Sequence, residues 1–322
     1  MPTTDPLCAT SCFAWRVFER IVVGYAGEQA GRDALVLAAT LAARLDGALT
    51  VVFPYHPLLA TRDAEEVQQR AQGEVTALLD EVCASQDGRH LSQLTFHWSS
   101  ASWPIRALHQ LAAYEAADLI VFGAAPQGAL GARQVSLMER MIHGAPCAVA
   151  LAPSGYATRK TRAVQRIGVG FCDCEEARAA LDIAHGLADG FGGELEIVAV
   201  AGLDPMLASY AFSAPLMAQA QDEIKAEVAE RAEHAATDLS DGVPVHTRTI
   251  SGIPAEVLIE RTNELDLLVL GSRAYGPLRH ALLGSVSAMV MRRAHCPVLV
   301  LPRGVSRRED PAAPREAQSQ TT

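Results

Sequence analysis

Residues 271–287 read Gly-Ser-Arg-Ala-Tyr-Gly-Pro-Leu-Arg-His-Ala-Leu-Leu-Gly-Ser-Val-Ser, and their types suit an anion. Gly271 and Gly284 carry no side chain, so backbone N–H groups there can come close to a ligand. Ser285 can cap a helix, whose first N–H groups present the positive end of its dipole. Arg273 and Arg279 can neutralise phosphate charge. The same residues also describe a glycine-containing loop with an ordinary serine cap. Spacing alone therefore leaves phosphate binding and a ligand-free capped helix as alternatives.

Such a loop needs strands and helices to aim it, and the chain supplies them twice. Residues 21–25 read IVVGY and 167–171 read IGVGF; 118–123 read DLIVFG and 266–271 DLLVLG; 147–153 read CAVALAP and 296–302 CPVLVLP. Matching positions lie close to 148 residues apart. Solenoid units run roughly 20–50 residues, so this period marks a duplicated domain instead. Strand-like runs fall at about 20–24, 48–53, 93–98, 118–122 and 147–151, then 166–170, 195–201, 245–249, 266–270 and 297–301. Leu267–Leu270 is apolar throughout, as in a strand covered on both faces. Between the runs lie helical patterns; over 216–239, Leu216, Ala220, Ile224, Val228, Ala232, Ala235 and Leu239 recur every three or four residues. The alternation predicts an α/β fold of two tandem doubly wound, five-stranded parallel-sheet domains. In such sheets ligands lie beyond the carboxyl ends of the strands, where strand order reverses. The expected boundaries are an N-terminal extension over 1–18, a first domain over 19–153, a polar and basic linker over 154–165, a second domain over 166–302 and a disordered tail over 303–322.

The chain has 322 residues, 49% hydrophobic and 20% charged, with a net charge of −10. That charge repels phosphate backbones and anionic membranes, which argues against nonspecific nucleic-acid binding. No run of 18 apolar residues predicts a membrane span. The first residues lack the basic and apolar regions of a secretory signal, so a cytoplasmic location is expected. Seven cysteines, an odd number, suit reduced thiols better than a disulfide framework. Cys172-Asp173-Cys174 lacks zinc-ligand spacing and reads as two loop thiols, with a redox pair as the alternative. Cys147 and Cys296 start equivalent strands and read as packed thiols. The ten histidines are scattered, and His97 and His246 read as packed or surface residues. GxxxxGK[ST], HExxH and GxSxG are all missing, so neither catalytic nor metal-ligating residues are assigned.

GSRAYGPLRHALLGSVS, with the helix pattern and CPVLVLP that follow, resembles the signature end of the universal stress protein (UspA) family. The likeness covers both halves, roughly 20–153 and 166–302, as in a tandem member. The resemblance implies an adenine nucleotide alpha hydrolase-like (UspA) fold, a regulatory role in stress responses, and ATP as ligand. The family motif is a Gly, two residues, a Gly, nine residues, then Gly-Ser or Gly-Thr; here those positions are Gly271, Ala274, Gly284 and Ser285. The resemblance also places Leu270, Val286 and Ser287 around the phosphates and ribose, and Gly170 and Val200 near the adenine, while Arg273 adds positive charge to the loop. Magnesium would arrive with the nucleotide, within reach of Ser285. Family members pair through their last strands, which here implies an intramolecular pseudo-dimer of 147–151 with 297–301, further association into a homodimer, and a protein partner that senses the nucleotide.

The chain departs from the family pattern at informative places. ATP-binding members carry an Asp just after the first strand; Cys172 stands there in the second half and Ala26 in the first, with Asp173 one residue late. The loop over 123–136 is one residue shorter than its counterpart and sets Val135 at the position of Gly284. A β-branched side chain there obstructs close approach of the backbone, although Ser136-Leu-Met-Glu139 still reads as a capping box. The expectation is a degenerate site in the first domain and a nucleotide site in the second. No general base is placed beside the loop, so a binding module and not an enzyme is expected. The rival readings are a nucleotide-free interaction scaffold with both pockets degenerate, and a weak phosphohydrolase.

Overall fold

The computed structural model describes residues 17–54, 64–86, 89–99, 104–124, 138–159, 164–202, 214–239, 242–272 and 284–302. The first lobe contains β1 (Arg20–Gly24), α1 (Gln29–Leu45), β2 (Ala48–Pro54), α2 (Ala64–Ser85), β3 (Gln93–Ser99), α3 (Pro104–Tyr114), β4 (Leu119–Gly123) and β5 (Ala148–Ala152). The second contains β6 (Arg166–Phe171), α4 (Glu175–Phe191), β7 (Glu194–Ala201), α5 (Ala214–Thr237), β8 (Val245–Ser251), α6 (Pro254–Arg261), β9 (Leu267–Gly271), α7 (Ser285–Arg293) and β10 (Val298–Leu301). All ten strands join one sheet in the order β3-β2-β1-β4-β5-β10-β9-β6-β7-β8. Each lobe is the expected doubly wound, five-stranded parallel unit. The lobes meet where β5 and β10 run antiparallel, with Val298 opposite Leu151, Leu299 opposite Ala150 and Val300 opposite Val149.

Alternate side chains of each strand enter opposite layers, because the pleat has a period of two. Ile21 and Val23 of β1 face the layer under α1 and α4, whereas Val22 faces the layer that includes α3 and α7 residues. Both layers draw residues from both lobes. Across the seam α1 approaches α4 so closely that a Cβ on Gly190 would lie 2.8 Å from Leu45 Cδ2. Burying a large apolar side chain contributes about 1.5–3 kcal/mol, and α1, with Leu35, Leu37 and Leu41 fully buried, is a major contributor.

Asp118 accepts hydrogen bonds from the N–H groups of Glu19 and Arg20, both at 3.0 Å, and so fixes the start of β1 against β4. Asp266 does the same for Gln165 (2.9 Å) and Arg166 (2.8 Å) at β6. The segment read as a linker is anchored through 154–159. The buried carboxylate of Asp33 accepts from Gly155 N–H at 2.8 Å, from Ala157 N–H at 2.7 Å and from Gln29 Nε2 at 2.9 Å. These bonds hold the 3-10 turn Tyr156–Thr158, and Tyr156 and Val164 enter the core. At the amino end, Phe18 is buried in the first lobe's core although the sequence reading leaves it in the extension. Residues 303–322 lie outside the described residues.

Candidate functional site

Strand order reverses between β6 and β9, where Gly170 sits opposite Leu270. The missing side chain of Gly170 is used by packing: a Cβ there would lie 2.6 Å from Leu270 Cδ2 and 3.3 Å from Leu258 Cδ1. Leu270 is buried, so only its main chain is available to a ligand. Val200, on β7, is half-buried and packs against the same layer. Gly271 ends β9, and a Cβ on it would lie 2.5 Å from the Glu176 carbonyl oxygen in the first turn of α4. The first lobe repeats the arrangement more tightly, with Gly123 set against the Ala30 carbonyl oxygen at 1.8 Å by the same construction. Both glycines let a helix cross the end of a buried strand, a role that the reading of Gly271 as a ligand contact did not include.

Helix α7 begins beside that strand end. Ser287 Oγ donates to the Gly271 carbonyl at 3.2 Å and ties the helix to β9. Gly284 is the N-cap, with φ −62° and ψ 150°, and among the described residues no side chain caps the helix. The expectation that Ser285 caps it is therefore corrected: Ser285 is the first helical residue and is exposed. A polar side chain at the first helical position lies past the cap geometry, in which the side-chain oxygen reaches N–H groups two or three residues ahead. The first helical bond runs from Ala288 N–H to the Gly284 carbonyl at 2.9 Å. An α-helix leaves its earliest N–H groups without intrahelical partners, here those of Ser285, Val286 and Ser287. Val286 is half-buried and Ser287 is buried, so both offer main chain at the helix start. Arg273 and Ala274, with Arg279, lie outside the described residues.

Sequence reasoning passed over Ser272. Its N–H donates to the Leu301 carbonyl at 2.9 Å, but its hydroxyl is fully buried and has no hydrogen-bond partner among the described residues. A buried polar group left unpaired costs about 1–3 kcal/mol. A serine after a buried strand carries no sequence signal of its own; only its burial reveals it.

The β6–α4 loop forms the other side of the switch point. Cys172 and Cys174 are half-buried. Asp173 turns outward to Arg178, accepting from Nη2 at 2.7 Å and from Nε at 3.2 Å. This hydrogen bond holds the Asp173 carboxyl below the ordinary carboxylate range. Asp173 therefore faces solvent and Arg178, and does not replace the acid that the motif would place at Cys172.

The equivalent place in the first lobe holds a cavity of about 240 Å³ at the carboxyl ends of β1 and β4. Tyr25, Val52, Leu108, Phe122 and Met141 line it, and Glu28 is the charged group on its wall. Among the described residues that line it none is basic, and the Glu28 carboxylate repels a phosphate. Residues 125–137, with Val135 and Ser136, lie outside the described residues. Among the described residues no group of three His, Cys, Asp or Glu side chains is placed to hold a metal ion. Likewise, no described helix is long and apolar enough to cross a membrane.

A fold of two doubly wound lobes joined edge to edge through β5 and β10 defines a class of tandem α/β proteins. The universal stress protein family model matches residues 18–153 and 163–302, and the chain belongs to that family as a tandem member. Universal stress protein Rv2005c of Mycobacterium tuberculosis is 28% identical over 302 residues, covering 87% of this chain and 96% of that protein. The crystal structure of a universal stress protein from Archaeoglobus fulgidus shares the fold, with a TM-score of 0.53 and 18% identity over 87% of this chain and 95% of that one. A universal stress protein solved in complex with cAMP is 30% identical, covers 43% of this chain and 96% of its own, and has a TM-score of 0.28.

Proposed function

We propose that the second lobe binds an adenine nucleotide, ATP in the reading its motif favours, with the phosphates at the start of α7 and the base toward the ends of β6 and β7. The observation that carries this is Gly284. Its torsions, φ −62° and ψ 150°, are open to any residue, so backbone conformation does not demand glycine there. What a glycine adds is room for a ligand beside the first N–H groups of α7, those of Ser285, Val286 and Ser287, at the positive end of the helix. The buried hydroxyl of Ser272 next to Gly271, which has no partner among the described residues, supports a polar ligand at the same strand end. In this reading Gly170 and Val200 lie on the base side, Arg273 and Ala274 belong to the covering loop, and magnesium comes with the triphosphate. Cys172 supplies no carboxylate to the base. Losing a charged hydrogen bond costs about 1.5–3 kcal/mol, so affinity falls roughly tenfold to a hundredfold below a site that keeps the acid.

The first lobe, with its apolar cavity and Glu28, serves a structural role. The β5–β10 junction supports reading the chain as an internal pseudo-dimer, and association into a homodimer and recognition by a protein partner belong to the same proposal. The protein acts by binding, through loop order that a partner senses during stress, and not by catalysis.

Thermal denaturation with MgATP tests the reading. The melting temperature of the wild type rises with nucleotide, while Gly284→Val keeps its ligand-free melting temperature and loses the rise. No rise in the wild type would remove the proposal, and an undiminished rise in Gly284→Val would move the phosphates elsewhere. Cys172 at the acid position favours a second reading, a nucleotide-free scaffold. That reading predicts that heat denaturation of purified protein releases no nucleotide and that added MgATP changes nothing.

A further inference from the structure

We propose that Cys172 and Cys174 form a reversible disulfide within the β6–α4 loop, making the loop a site of thiol oxidation by peroxides. The two sulfurs lie 2.8 Å apart. Both residues are half-buried, packed on one side against the core and open on the other to a small oxidant. The backbone creates this proximity. Two fully extended residues span about 6.6–7.2 Å, at or beyond the Cα separation of about 4.4–6.8 Å that a disulfide accepts. Here the Cys174 N–H donates to the Cys172 carbonyl at 2.7 Å, folding the tripeptide into a tight turn. Asp173, at its apex, is held away on the exposed side by Arg178, which leaves the two thiols facing each other.

The other described cysteines lack these features. Cys147 and Cys296 are buried, and burial pushes both thiols up to about 12. Cys83 is also raised by burial. Burial also shields Cys147 and Cys296 from an oxidant in solvent, so oxidation concentrates on the loop pair. In the first step one thiol sulfur attacks a peroxide oxygen. The O–O bond breaks, a sulfenic acid forms, and water or an alcohol leaves with the thiol proton. The second thiol then attacks the sulfenic sulfur, the S–S bond forms, and a second water leaves. Two thiols are oxidised by two electrons and the peroxide is reduced by two. Strained or exposed disulfides are the ones most readily reduced again, and a bridge across a single residue closes a small ring. The couple does not depend on a nucleotide in the second lobe.

Mass spectrometry of the full chain tests this. Reduced, native protein is treated with hydrogen peroxide, alkylated with iodoacetamide in denaturant and digested with trypsin. Residues 167–178, between Arg166 and Arg178, carry both cysteines in one peptide. The expected peptide is unalkylated and lighter by two hydrogen atoms, and dithiothreitol restores double alkylation. The peptides of Cys147 and Cys296 stay alkylated after the same treatment. In Cys174→Ser, Cys172 stops at the sulfenic acid and is trapped by dimedone. A 167–178 peptide that remains doubly alkylated, passes to sulfinic or sulfonic acid without a disulfide, or bonds to another cysteine would overturn the proposal.

Discussion

Asp118 and Asp266 show how a single residue type can be conspicuous in a sequence while its role stays hidden. They open the repeated DLIVFG and DLLVLG runs, but each carboxylate serves two N–H groups roughly a hundred residues earlier in the chain. Asp266→Ala is expected to lower unfolding free energy by about 1–3 kcal/mol, read from urea denaturation, with Asp266→Asn keeping part of it. The reading of Cys147 and Cys296 as packed thiols was available from their positions, because both open the apolar last-strand run of their half. Its electrostatic consequence needed the structure. With an ordinary value of 9.0 and a folded value of about 12, each thiol stays protonated in the folded chain where the unfolded chain has already lost the proton. Stability is therefore unaffected below pH 9 and falls as pH rises from 9 toward 12, by up to about 4 kcal/mol per thiol. Urea denaturation across that window should show this slope, flattened in the Cys147→Ala/Cys296→Ala double variant. A slope unchanged by the substitutions would show that other groups cause it.

At the scale of elements, buried parallel strands are easy to read because both faces must be apolar. Each of the ten strand-like runs is a strand, and the helix expected over 216–239 is Ala214–Thr237. Glycine roles were less legible. Gly123 and Gly271 look like loop glycines, but each makes way for a helix carbonyl from another part of its lobe. Gly123→Ala and Gly271→Ala are expected to destabilise the ligand-free protein by about 1–3 kcal/mol through overpacking. The larger loss belongs to Gly123, whose added Cβ would sit 1.8 Å from a carbonyl oxygen against 2.5 Å at Gly271. Equal thermal stability of both variants and the wild type would refute this packing role. Gly284 differs from both, since its torsions do not require glycine. The helix start near it was legible from Gly-Ser, but which residue caps it was not, because that depends on a shift of one residue in where the helix begins.

For the whole molecule, the duplication is plain in the sequence, but the way its halves become one body is not. The junction combines the antiparallel β5–β10 pairing, two core layers shared by both lobes, and a turn held by Asp33 from more than a hundred residues away. Composition and periodicity carry no trace of that last contact. Because the layers are continuous, calorimetry should show a single unfolding transition whose van't Hoff and calorimetric enthalpies agree; two resolved transitions would mean that the lobes are stabilised separately. The lobes differ at their switch points, where one presents a helix start behind a glycine N-cap and the other an apolar cavity with Glu28. The most direct measurement of that asymmetry is the stoichiometry of MgATP binding by isothermal titration calorimetry. One nucleotide per chain is expected in the wild type and none in Gly284→Val. Two per chain, or none in the wild type, would contradict it.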